Sequence, residues 1–215
     1  MNAPAFSHWL ICGSSQTGKS TMMHRLSRES RRQQVIYDPT YAPKDDAAKN
    51  IRGFWRHDLA NFVEKINPLV ESPRTTTICR TEPDFIFTAE YARDADLFID
   101  EAQDIFAQTK RENFWLMTRG RHQGLRLHIA SQRPKLIAPS VRGQVAVIIC
   151  YRLAHDDLRD TMASAGLSIK RLPREYFPRK AGEYLRADLT DARLRFIHEN
   201  KDGDILREQE LQWIC

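Results

Sequence analysis

The sequence predicts an α/β domain built on a mainly parallel central sheet with helices on both faces. Three observations carry that expectation. Strand-like and helix-like segments alternate along most of the chain. Val145 to Arg152 is almost wholly apolar, as a strand covered on both faces must be. Residues 13–20 read Gly-Ser-Ser-Gln-Thr-Gly-Lys-Ser, a complete G-x-x-x-x-G-K-[ST] loop. A chain of 215 residues suits one such domain and is short for two. A core over about residues 7–165 and a C-terminal extension over 166–215 are expected.

In chain order, the apolar run His8 to Cys12 suits a buried strand and Thr21 to Leu26 an amphipathic helix. This is the strand–loop–helix setting that the glycine-rich motif requires. Val35 to Asp38 is a second strand, stopped by Pro39, and Thr40 to Gly53 a polar loop. Leu59, Phe62, Val63 and Ile66 recur at helical spacing, and Pro68 ends that helix. Thr75 to Cys79 is β-branched and reads as a strand. Asp84 to Arg93 is ambiguous, and helix is preferred. Asp96 to Glu101 is a short buried strand ending in two acids. A helix over Arg111 to Arg121 ends near Gly124. Leu125 to Ala130 and Val145 to Arg152 are strands. His155 to Ala165 is a helix with Gly166 as its C-terminal signal. The extension holds possible strands at Glu183 to Ala187 and Arg193 to His198, then a turn at Asp202-Gly203.

The loop's chemistry follows from its residue types. Gly13 and Gly18 permit torsions and approaches that a β-carbon blocks. The N–H groups of Gly13, Ser14, Ser15, Gln16, Thr17, Gly18, Lys19, Ser20 and Thr21 can then surround phosphate oxygens at the positive end of a helix dipole. Lys19 would reach the β- and γ-phosphates, and Ser20 would offer its hydroxyl to Mg²⁺. The ligand implied is ATP or a related nucleoside triphosphate.

Asp100-Glu101 follows Ser20 by 80 residues, after an apolar run. An acid at the end of a neighbouring strand helps to hold Mg²⁺ in such domains, which suits Asp100. Glu101 beside it can polarise an attacking water as a general base. The plainer alternative, that Asp100 or Asp104 is only a helix N-cap, stays open.

Composition narrows the rest. The chain is 41% apolar and 28% charged, with no stretch near the ~20 apolar residues of a membrane span. The first residues lack the pattern of a secretory signal. Cys12, Cys79, Cys150 and Cys215 show no paired spacing, so Cys12 and Cys150 are expected as buried free thiols of a reducing, intracellular compartment. The histidines show no zinc-ligand spacing. A net charge of +5 is a mild bias towards a polyanionic partner.

Thr118 to Pro134 carries the most specific pattern, with Arg119, Gly120, Arg121 and His122 before an apolar strand that ends in Ser131-Gln132-Arg133-Pro134. A glutamine there can sense a γ-phosphate or orient water. With these motifs the chain resembles the FtsK/HerA superfamily of DNA-pumping ATPases. The Asp100-Glu101-Ala102-Gln103-Asp104 and Gly120-Arg121-His122 elements are most similar to the genome-packaging ATPases of membrane-containing icosahedral viruses and phages. The resemblance spans about Trp9 to Arg152.

That resemblance implies a RecA-like P-loop NTPase fold, Mg²⁺-dependent ATP hydrolysis and movement of double-stranded DNA. It also implies a ring, usually hexameric, possible capsid vertex or portal partners, and a place in the host cytoplasm or the virion. Glu101, Gln132, Lys19 and Arg121 become the catalytic candidates. Arg121 is the first choice for a finger acting on a neighbour's ATP, with Arg119 and Arg142 behind it; a solvated, dipole-matched helix end is the alternative. Neither the membrane helices nor the winged-helix domain of cellular chromosome motors is expected from this sequence.

Lys170, Arg171, Arg174, Arg179 and Lys180 form the densest basic stretch and are candidate DNA contacts through phosphates. A solvated loop whose Tyr176 and Phe177 pack on the core explains them equally well. The rival functions are another DNA-directed ATPase (a plasmid-transfer motor or helicase loader), a small-molecule kinase, or a nucleotide-dependent switch. The Asp100-Glu101 pair and Gln132 argue against the kinase.

Overall fold

The computed structural model describes residues 7–40, 54–55, 76–169, 172–189, 193–200, 202 and 204–212. Its strands are β1 (Trp9–Cys12), β2 (Gln33–Tyr37), β3 (Phe54–Trp55), β4 (Thr76–Cys79), β5 (Ala95–Ile99), β6 (Arg126–Ser131), β7 (Val147–Cys150), β8 (Tyr184–Asp188), β9 (Arg193–Glu199) and β10 (Ile205–Gln212). The helices described are α1 (Lys19–Glu29), α2 (Glu82–Tyr91), α3 (Gln103–Phe106), α4 (Pro139–Arg142) and α5 (His155–Ser164).

The strands form one sheet in the order β10-β9-β8-β7-β1-β6-β5-β2-β4-β3. From β7 to β3 neighbouring strands run parallel, and β8, β9 and β10 add an antiparallel edge. All four residues of β1 and of β7 are buried. Alternate side chains divide between two cores. Leu10, Cys12, Leu97, Ile99, Ile148 and Cys150 meet Phe85 of α2, Ile105 and Phe106 of α3, Val141 of α4, and Leu158 and Met162 of α5. Trp9, Ile11, Phe98, Val147 and Ile149 meet Met22, Met23 and Leu26 of α1. The expected sheet, covered on both faces, is therefore present.

Local chemistry sets the helix starts. Gly18 caps α1 with φ 114°, a left-handed value that a side chain disfavours. Thr81 caps α2, its hydroxyl accepting from the Asp84 N–H at 3.3 Å. Gly124 (φ 75°) and Gly166 (φ 77°) make the turns expected of them.

Two readings are corrected. Arg111 to Arg121 is no α-helix but two 3₁₀ segments, Arg111–Leu116 and Arg119–Gln123. The chain there closes through three-residue bonds, Met117 N–H to Phe114 O and Gly124 N–H to Arg121 O among them. Asn113, buried, helps to fix this winding by donating to Glu82 and to the Ile105 carbonyl. β10 was not anticipated: as an edge strand it exposes Ile205 and Leu206 and carries no alternating pattern. The helix expected over His57 to Ile66, most of the loop from Thr40 to Gly53, Lys170, Arg171 and Cys215 lie outside the described residues. Cys12, Cys79 and Cys150 are buried free thiols. Among the described residues no helix is long and apolar enough to cross a membrane.

Candidate functional site

The strand order brings the motifs together. β6 lies between β1 and β5, and all three run parallel. Their C-terminal ends carry the loop after Cys12, the Ser131-Gln132 pair, and Asp100-Glu101. Residues far apart in sequence thus share one edge of the sheet, where parallel α/β folds place their ligands.

The loop itself is tightly wound. Gly13 N–H donates to Ser131 O and Ser14 N–H to Arg152 O, so β6 and β7 both anchor it. Thr17 Oγ1 and Lys19 Nζ both donate to Ser14 O, at 2.8 and 2.9 Å. A β-carbon on Gly13 would lie 2.6 Å from Tyr151 Cβ and 2.7 Å from Thr17 Oγ1; one on Gly18 would lie 3.1 Å from the Tyr151 ring. Space therefore requires glycine at 13, while at 18 the contact is only tight and the left-handed φ of 114° is what favours glycine; Tyr151 backs the loop. Gln16 adopts φ 60°, which turns the chain at the loop's crest. Burial pushes the Lys19 ammonium below its ordinary range, opposed by the charges of Asp100 and Glu101.

Asp100 directly follows β5, its N–H donating to Tyr37 O, and its own Oδ1 accepts the Glu101 N–H at 3.1 Å. Burial raises the Asp100 pKa; Glu101 and Asp38 add to the rise, while the Glu101 N–H and Lys19 oppose it. Asp100, Ser20 and Asp38 line a common cavity of about 120 Å³. Ser20 and Asp100 offer the hard oxygen donors that Mg²⁺ prefers, so the donor set fits that ion. Asp38, read from sequence only as a strand end, is a third oxygen-bearing group here.

Glu101 has φ 52°, left-handed backbone at a residue with a side chain. Its carboxylate accepts from Gln132 Nε2 at Oε1 (2.7 Å) and from Gln103 Nε2 at Oε2 (2.6 Å). Gln103 and Ser131 lie inside the two motifs quoted from the sequence but were not singled out as site residues, because strand pairing, not spacing, brings them together.

The candidate arginines lie elsewhere. Arg119 and Arg121 precede β6, so they sit at the sheet edge opposite Gln132. Six strand residues, about 20 Å, separate the two edges. Arg121, exposed, contacts His8 Nε2 at 3.2 Å and donates to Gln144 O. Arg142 is buried and donates to Asp160 O of α5. Among the described residues, Arg152 meets the loop through its carbonyl and Arg133 follows Gln132 at the same sheet edge; both are exposed. Of the basic stretch, Arg174, Arg179 and Lys180 are exposed, and Tyr176 and Phe177 pack on the core as the plainer reading holds. The Arg179 and Lys180 N–H groups donate to Glu183, and Gly182 N–H donates to Thr17 O, so this stretch runs beside the phosphate loop.

Sheet, loop and strand order define the fold of a P-loop NTPase of RecA-like type. The solved structures similar to it include the genome packaging NTPase B204 from Sulfolobus turreted icosahedral virus 2. The complex of that protein with AMP is 19% identical over 91% of this chain and 98% of that one, with a TM-score of 0.60. Its complex with sulfate is 17% identical over 100% and 99%, also at 0.60. The cytoplasmic domain of the Thermomonospora curvata Type VII secretion ATPase EccC is 11% identical over 89% of this chain and 23% of that one, at 0.50. No family model and no curated protein matches the sequence. At these identities the likeness is one of fold, and at that level the expected similarity to viral packaging ATPases holds.

Proposed function

We propose that this chain is a Mg²⁺-dependent ATP hydrolase that assembles into a ring and moves double-stranded DNA, its cargo a viral genome entering a capsid. The observation that carries the proposal is the Gln132 to Glu101 hydrogen bond, at the sheet edge shared by the phosphate loop and Asp100. A carboxylate fixed by a glutamine at that edge suits activation of water and so favours a hydrolase over a small-molecule kinase.

In this reading the loop N–H groups and Lys19 hold the triphosphate. Ser20 and Asp100 would hold Mg²⁺, which when bound would supply charge neutralisation to the triphosphate. Glu101 accepts a proton from water as that water attacks the γ-phosphorus in line, the bond from the γ-phosphorus to the β,γ-bridging oxygen breaks and ADP leaves, and Gln132 keeps the carboxylate aimed. An arginine at the far edge, such as Arg121 or Arg119, cannot reach its own chain's nucleotide. It can act only on a neighbour's, which favours a ring, taken as hexameric. Arg174, Arg179 and Lys180, with Lys170 and Arg171, would follow DNA phosphates. Capsid vertex or portal proteins would dock the ring, in the host cytoplasm or on the virion. The packaging NTPase named above, similar in fold over nearly its whole length, supports this direction.

The test is displacement of a third strand from duplex DNA. Displacement by the wild-type chain with ATP, absent without ATP and in Lys19→Ala, is expected. ATP hydrolysis without displacement would remove DNA movement from the proposal.

A further inference from the structure

Gln103 opens α3, two residues beyond Glu101. Its Nε2 donates to Glu101 Oε2 at 2.6 Å, and Ser131 Oγ donates to its Oε1 at 2.8 Å. An ionised carboxylate has no proton to give, so the amide NH₂ must face Glu101 and the amide oxygen must face Ser131. Ser131 Oγ also accepts the Arg133 N–H at 3.0 Å, so its one proton is directed to Gln103. The result is a directed relay from the end of β6, through Gln103, to the second oxygen of the Glu101 carboxylate. The first oxygen is held by Gln132.

We propose that Gln103, oriented by Ser131, is a positioning residue for Glu101, a role that rests on the hydrolase reading above. Glu101 leaves a left-handed backbone, and its side chain must hold one orientation to meet a water on the γ-phosphate. A general base works only within hydrogen-bond reach of its proton, and a displacement of about 1 Å can cost on the order of 100-fold. One amide fixes a carboxylate at a point. Two, from different elements, fix its plane.

The test is steady-state ATP hydrolysis by the full chain with duplex DNA, from acid to alkaline pH, for wild type, Glu101→Gln, Gln103→Leu and Gln103→Glu. Binding of a non-hydrolysable ATP analogue is measured in parallel. Gln103→Leu should lower kcat about 10–100-fold with KM and analogue affinity unchanged. Gln103→Glu, nearly isosteric, should be as impaired at alkaline pH but recover towards acid. Two carboxylates this close share one proton until a raised second dissociation, so on the acid side that proton restores a donor to Glu101, and at alkaline pH both ionise and repel. A merely structural role gives no such acid-side recovery.

Wild-type kcat in Gln103→Leu, or a Gln103→Glu profile parallel to wild type, overturns the proposal while Glu101→Gln still loses turnover. Turnover absent from wild type, or unchanged in Glu101→Gln, overturns the hydrolase reading and this proposal with it.

Discussion

Gln132 Nε2 donates to Glu101 Oε1 at 2.7 Å, across the ends of two adjacent parallel strands. The bond links the residue that would sense the γ-phosphate to the residue that would activate water. Any movement of the β6 end relative to β5 is therefore felt at the base. Glu101→Gln should lower turnover by about 10²–10⁴-fold, the range for a lost general base. Nucleotide affinity should persist, because Glu101 is not among the loop donors. Single-turnover hydrolysis beside equilibrium nucleotide binding checks both halves.

Gly13→Ala should cost about 1–3 kcal/mol of stability through overpacking, and nucleotide binding with it. Its new methyl would meet Tyr151 Cβ and Thr17 Oγ1 at distances no β-carbon tolerates. Thermal unfolding and nucleotide titration of the variant measure the two effects.

Acid should weaken the fold through His8 and His128. Burial lowers the His8 pKa to about 4, helped by the Arg121 charge, and burial lowers that of His128 to about 4. His8 Nδ1 accepts the Leu127 N–H, while His128 stacks on Phe98 at 4.6 Å. The unfolded chain binds these protons near the ordinary value of 6.5 and the folded chain does not. Stability is thus full above about pH 6.5 and falls as pH drops towards 4, by up to about 3 kcal/mol per histidine. Thermal melts across that window should show the fall, and His128→Phe should flatten it.

Much of this was legible in sequence because it is local. The loop from Gly13 to Ser20, the strand before it and the helix after it are contiguous, and Asp100-Glu101 follows an apolar run that can only be a buried strand. Strand order was not legible. It is a long-range outcome of packing, and it alone sets β6 between β1 and β5 and so brings Ser131 to Gln103. The same limit hid β10, whose exposed edge position removes any apolar alternation. The 3₁₀ winding of Arg111–Leu116 was hidden too, since Asn113 is fixed by distant Glu82 and Ile105.

Asp96, fully buried at the start of β5, is held by Arg126 through two hydrogen bonds and by the Ser30 hydroxyl. Burial pushes its carboxyl up, but these partners hold it below the usual range. Arg126→Ala should cost about 3 kcal/mol by leaving a buried charge under-compensated. Adding Asp96→Asn should recover part of that loss in denaturant unfolding.

The most direct measurement is steady-state ATP hydrolysis at several protein concentrations, with and without duplex DNA, beside Lys19→Ala. An arginine that reaches only a neighbour's nucleotide predicts specific activity that rises with protein concentration and with DNA. It should fall at least about 100-fold in the variant. Specific activity indifferent to both concentration and DNA would contradict the account of an assembled DNA motor.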